Sequence, residues 1–168
     1  MSPNKFKPHI LVLPEDDANR QIANGFMLHP QLNGRFIQVL RPVGGWARVL
    51  DYFTEDLSFS VRQFDQRRIV MLIDFDQQHE KRFNYVRSRI PQELDDRVFV
   101  LGVLSKPEEL RRVSNRTYEE IGWALSQDCV EDTRIMWGHE LLSHNETVLQ
   151  RMISSVKPFL FNLSMAVS

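Results

Sequence analysis

The sequence predicts an α/β protein built around a mainly parallel, four-stranded sheet with flanking helices. Three observations carry that reading. Short, wholly apolar runs of strand length recur along the chain. Segments with the spacing of one helix face separate them, repeating about every 30 residues as βαβ units do. Pro, Gly and acidic residues mark the junctions. A strand buried on both faces reads as a continuous apolar run, and a crossover to a parallel neighbour needs a helix. The 168 residues are of single-domain length, with an α/β core expected over 1–107 and a helical extension over 108–168 packed on the same domain.

The first strand is His9 to Leu13, closed by Pro14. Glu15, Asp16 and Asp17 then supply a capped turn, and Ile22, Ala23, Phe26 and Met27 form the apolar face of a helix that ends before Pro30. Phe36 to Leu40 is the second strand, stopped by Pro42. After the Gly44-Gly45 breaker, Trp46, Val49, Leu50 and Phe53 repeat at helical spacing. The clearest strand is the third, Ile69 to Ile73, which runs into Asp74-Phe75-Asp76. A polar helix with Phe83, Tyr85, Val86 and Ile90 follows, then a fourth strand over Val98 to Leu104. From Pro107 onward three helical segments are expected. Tyr118, Ile121, Gly122 and Leu125 stripe the first and Ile135, Trp137 and Leu141 the second. Val148, Leu149, Met152, Ile153 and Val156 stripe the third, which is expected to stop at Pro158.

Composition narrows the function classes. With 42% hydrophobic and 26% charged residues the chain has the make-up of a folded globular protein. Lys and Arg number 21 against 22 Asp and Glu, so a polyanion partner must be held by a local patch or through bound metal. Cys129 is the single cysteine, which excludes an internal disulfide and multi-Cys metal centres and fits a reducing compartment; a cytoplasmic protein without signal peptide or membrane span is expected.

The strongest chemical signal is the placement of acids after buried strands. In open α/β sheets ligands bind outside the carboxyl ends of the strands. Glu15 follows the first strand, with Asp16 and Asp17 beside it, and Asp74 and Asp76 follow the third. Residues two apart on an extended chain point the same way, so both aspartates can face one ion, and Glu15 joins them if the first and third strands are neighbours. Hard oxygen donors without cysteine suit Mg2+ or Mn2+. Either cluster alone is also explained by a helix cap or a strand end; the two together point to phosphoryl-transfer chemistry.

The Glu15 turn, the Gly44-Gly45 pair before a helix and the Asp74-Phe75-Asp76 triplet, in that order, resemble a topoisomerase–primase (Toprim) domain over about residues 9–106. The Gly-Gly element and the small size look most like the nucleases of the overcoming-lysogenization-defect group and related stand-alone bacterial Toprim proteins. The resemblance implies that Glu15, Asp74 and Asp76 bind the metal, that Glu15 takes part in catalysis, and that Lys106 matches a lysine assisting phosphodiester cleavage. It also implies nucleic acid, DNA or RNA, as the partner. An ATPase or other protein partner supplied in trans and a homodimer are compatible with it. Two departures stand out: the chain has no ATPase segment, and Pro14-Glu15-Asp16-Asp17 replaces the small-residue turn usual around the Toprim glutamate. A second resemblance is to response-regulator receivers, through Ile10 to Arg20 and through Leu104-Ser105-Lys106-Pro107, with Asp74 as phosphate acceptor. The interval from Asp74 to Lys106 holds one helix and one strand, where a receiver needs two such units.

Weaker features surround this core. Arg111, Arg112 and Arg116 are candidate substrate-phosphate contacts, and Arg67, Arg68, Lys81, Arg82, Arg87 and Arg89 join them if they share one rim. Glu108 or Glu109 is a conceivable further ligand, although acids also favour a helix start. His79 is near enough in sequence to serve the outer shell of a metal. His139 and His144 are spaced five apart, which puts them on different faces of a helix, unlike a zinc-chelating pair. Trp46, Trp123 and Trp137 fall in apolar stripes and are expected to pack in the core. Two function classes follow: a metal-dependent phosphodiesterase or nuclease, and a catalytically inactive Toprim-like or receiver-like module that binds a protein partner.

Overall fold

The computed structural model describes residues 2–163, so positions 164–168 of the expected extension lie outside the described residues. Four strands, β1 (His9–Pro14), β2 (Ile37–Val39), β3 (Arg67–Leu72) and β4 (Val98–Leu101), form one sheet in the order β2-β1-β3-β4. Every neighbouring pair is parallel. Leu11 is in register with both Gln38 and Ile69, and Ile69 with Val98, which aligns the strand ends. The chain moves from β1 outward to β2 and then crosses back to β3 on the other side of β1. The topological switch point therefore lies between β1 and β3, where ligands of such sheets bind.

Alternation along the strands divides the core in two. Ile10, Val12, Val70 and Leu101 face helices α1 (Asp17–Met27), α5 (Pro107–Ser114), α6 (Tyr118–Glu131) and α7 (Glu146–Leu160). Leu11, Leu13, Ile69, Met71 and Val100 face the other layer, α2 (Trp46–Tyr52), α3 (Ser58–Gln63) and α4 (His79–Ser88). Helices α2 and α3 are joined by a π-helical turn at Phe53–Leu57, in which both Phe53 and Leu57 are buried. On the first face α1 and α6 meet through glycine. A Cβ on Gly122 would lie 1.9 Å from the Ile22 carbonyl oxygen, and one on Gly25 would lie 2.2 Å from that of Glu119. Only glycine permits backbones that close.

The helical C-terminal part shares its core with the sheet. Ile121 and Leu149, both fully buried, belong to the cluster that contains Ile10 and Val70. Three sequence expectations change here. The segment with Ile135, Trp137 and Leu141 is a series of turns, with Ile135 exposed, and it owes its shape to Asp128. That buried carboxylate accepts the backbone N–H groups of Ile135, Met136 and Trp137 and the hydroxyl of Thr133. Helix α7 continues through Pro158 to Leu160, with the single N–H that proline lacks as the bond given up. Trp123 is 41% exposed and stacks on His29, whereas Trp137 is buried and donates its indole N–H to the Leu125 carbonyl.

Strand β4 lies at the sheet edge, and the segment before α7 covers its end. Asn145 accepts the N–H of Gly102 and donates to the Gly102 carbonyl, while Leu104 donates to the Leu141 carbonyl. The backbone just past the edge strand thereby gains partners at Gly102 and Leu104. No helix among the described residues is long and apolar enough to cross a membrane.

Candidate functional site

Parallel strands place all their carboxyl ends on one rim, and that rim gathers the acids. Glu15 follows β1 directly. Its backbone N–H donates to the Leu72 carbonyl at 2.9 Å, and its own carbonyl accepts from Gly44 and Gly45 at 2.9 and 3.2 Å. Gly44 and Gly45 have φ of 88° and 145°, in the region that favours glycine, so the loop before α2 can fold tightly onto Glu15. The Glu15 carboxylate then crosses to β3 and accepts the backbone N–H of Asp74 at 2.6 Å, and it also accepts from the Trp46 backbone at the start of α2. Glu15 and Asp74 thus meet at the switch point between β1 and β3.

Asp74 continues the alternation of Val70 and Leu72 and so points to the α1 side. Its Oδ1 accepts from Asn19 Nδ2 at 2.8 Å, and Asn19 donates in turn to Asp16, the N-cap of α1. Only 8% of Asp74 is exposed. Burial pushes its carboxyl up to about 7; the negative charges of Glu15, Asp16 and Glu108 push the same way, and the Asn19 amide opposes them. Glu15 is also raised, first by burial and then by Asp16, against the donors from Asp74 and Trp46 and the charge of Arg82. Arg82, on α4, donates to the Asp74 carbonyl and lies 4.6 Å over the Trp46 ring, which locks the two loops together.

Asp76 occupies a different place. Phe75 is fully buried in the α2–α4 layer, and at Asp76 and Gln77 the backbone turns left-handed, with φ of 48° and 61°. Their N–H groups bond the carbonyls of Ser105 and Leu104. The extended geometry that would aim Asp74 and Asp76 at one point therefore ends one residue too early. Exposed Asp76 instead lines an open cleft of about 450 Å3 with Ser105, Lys106, Glu108, Glu109 and Arg112. Lys106 is the N-cap residue of α5. Arg112 and Glu108 are shared with a second cleft of about 580 Å3 that includes Arg111 and Arg116. Arg111 packs over Tyr118 at 5.2 Å.

Not all the basic residues share this rim. Arg67 and Arg68 open β3 and lie at the opposite, amino end of the sheet, where Arg67 donates to His9 and Arg68 to Ser155. Arg87 pairs with Asp95 at 3.1 Å. His139 and His144 do not share a helix; His144 sits in a short 3-10 turn against Gly102.

A divalent ion fits part of this set. Two carboxyls raised by burial and by neighbouring negative charge, that of Asp16 on both and that of Glu15 on Asp74, form a place where a hard cation relieves repulsion, and Mg2+ is usually held by one or two carboxylates with waters and substrate phosphates. Among the described residues no group of three or more His, Cys, Asp or Glu side chains is close enough to hold an ion by itself. Glu15 and Asp74 would hold it, with Asp76 on the neighbouring cleft. Sequence reasoning missed Asn19 and gave Arg82 to a phosphate rim rather than to the Asp74 carbonyl. The signal for Asn19 was a polar residue three and four positions before Ile22 and Ala23, on the buried face of a helix.

No protein-family model, curated protein or solved structure matches this chain, so the site rests on its own geometry.

Proposed function

We propose that the chain is a Mg2+- or Mn2+-dependent phosphodiesterase acting on nucleic acid, in the manner of the Toprim nucleases it resembles. The observation that supports this reading most is the Glu15–Asp74 contact at the switch point of an all-parallel sheet, beside a cleft with Lys106 and Arg112. A bound divalent ion would supply Lewis-acid activation of water and charge neutralisation. Lys106, exposed at the start of α5, would offset charge on a phosphate, and Arg112 and Arg116 would position neighbouring phosphates by guanidinium forks. Arg82 keeps Asp74 and Trp46 in place.

The test is cleavage of labelled DNA and RNA oligonucleotides with Mg2+ or Mn2+, alongside thermal denaturation with each ion. Wild type should cut and be stabilised by the ion, since an ion bound only by the folded state raises the midpoint. Glu15→Gln and Asp74→Asn should lose both responses. Lys106→Ala should slow cleavage and leave the Mn2+ shift unchanged. Absence of both cleavage and ion response in wild type would discard the enzyme and leave the partner-binding module.

A further inference from the structure

Behind the carboxylate rim, on the opposite side of the same strand end, two imidazoles meet. The rings of His79, the first residue of α4, and His144 have centroids 4.6 Å apart with planes at 59°. Phe75 packs edge-on against both, at 4.6 and 5.3 Å, and Phe83 lies 5.3 Å from His79. His144 Nε2 is 2.7 Å from the Gly102 carbonyl oxygen. A carbonyl only accepts, so Nε2 carries the hydrogen and Nδ1 is left with a lone pair. That Nδ1 is buried and has no hydrogen-bond partner.

A buried acceptor without a donor is costly and uncommon, which makes it the feature to explain. An imidazole held through one ring N–H by a backbone carbonyl, with its other nitrogen bare, has the orientation that metal-bound histidines adopt. Burial also lowers the affinity of both rings for protons, His144 to about 4, so both are neutral near pH 7 and hold their lone pairs ready. Neutral imidazole prefers borderline first-row ions over Mg2+, which separates this pair from the carboxylates in chemistry as well as in position.

We propose that His79 and His144 form a two-imidazole site for a borderline divalent transition ion of the Zn2+ type. No third His, Cys, Asp or Glu among the described residues completes the set. Water, or a donor from a bound molecule, fills the remaining tetrahedral positions, as at zinc sites that keep an open coordination position. His79 is half-buried, which leaves the pair a path to solvent.

The experiment uses the full chain with Zn2+ and Co2+ as probes at pH 7. At about tenfold excess over Kd, Zn2+ should raise the melting midpoint by roughly 3–6 °C, and Co2+ should produce visible d–d absorption. His79→Gln should lose both signals and keep the wild-type melting midpoint without metal. His144→Gln, which retains an amide donor for Gly102, should lose them too. The proposal is overturned by a wild type that responds to neither ion, or by responses that persist undiminished in both variants. A Mg2+ titration run in parallel reports on Glu15 and Asp74, so the failure of either site is read separately.

Discussion

Asn19 Nδ2 donates to Asp74 Oδ1 at 2.8 Å, joining the first turn of α1 to the end of β3 across 55 residues of sequence. The same amide holds Asp16 at 2.9 Å. One neutral side chain thus separates two carboxylates that would otherwise repel.

Replacing it exposes that repulsion. Asn19→Ala removes the hydrogen bond that lowers the Asp74 carboxyl, so Asp74 should titrate higher than in wild type. Loss of the buried contact should cost roughly 1–3 kcal/mol. Carboxyl-carbon NMR titration and urea denaturation measure the two effects, and an unmoved Asp74 titration would contradict this role.

Asp74 also fixes a pH dependence. Its carboxyl is raised from 3.8 to about 7 by burial and neighbouring negative charge. Between those values the unfolded chain has released the proton and the folded chain still binds it, so the contribution of this carboxyl to stability falls as pH rises through the window, against the rise that His144, lowered from 6.5 to about 4 by burial, contributes over its lower part. The loss amounts to up to about 4 kcal/mol by pH 8. Glu15, shifted the same way, adds to it. Asp74→Asn has no such proton to release, so the stability of wild type relative to the variant should decline steadily between pH 4 and 8, and the variant should exceed wild type at pH 8. A difference between wild type and Asp74→Asn that does not change from pH 5 to pH 8, without metal, would sink the assignment.

Asp128 is a second buried carboxylate with a structural task. Asp128→Ala leaves the N–H groups of Ile135, Met136 and Trp137 without their acceptor. A loss of roughly 3–5 kcal/mol is expected, because each orphaned buried donor retains its desolvation cost. Hydrogen exchange should show these three amides losing protection before the sheet does.

The α1–α6 contact tests close packing directly. Gly122→Ala improves intrinsic helix propensity by about 1 kcal/mol, yet the added methyl meets the Ile22 carbonyl at 1.9 Å. Clash should win, with a net loss of roughly 1–3 kcal/mol in chemical denaturation. A gain in stability would show that the two helices can separate freely.

The strands were legible because burial on both faces leaves nothing but apolar residues between His9 and Pro14 or between Ile69 and Ile73. The rim position of Glu15 and Asp74 followed from the same runs, since an acid just past a buried strand has only the sheet edge to occupy. Strand alternation extended to Asp76 does not record that the backbone turns left-handed there, where the Asp76 and Gln77 N–H groups bond the carbonyls of Ser105 and Leu104. The turns after α6 were read as helix because Ile135, Trp137 and Leu141 fit its spacing. Their true organiser, Asp128, acts through hydrogen bonds to residues seven to nine positions on, which periodicity does not record. Asn145 and the contact that places His144 leave no trace in the sequence for a similar reason: their common partner, Gly102, is more than forty residues away.

Helix α7 packs against β1 and β4, the first and last strands in sequence. Synthesis therefore produces the whole sheet before the helix that closes one of its faces exists. Until Val148, Leu149, Met152 and Val156 leave the ribosome, Ile10, Val12 and Leu101 lack part of their cover. A nascent chain that has not yet reached α7 holds this apolar surface open, a condition that invites aggregation and chaperone binding. Closure of this face of the sheet therefore waits on the synthesis of α7.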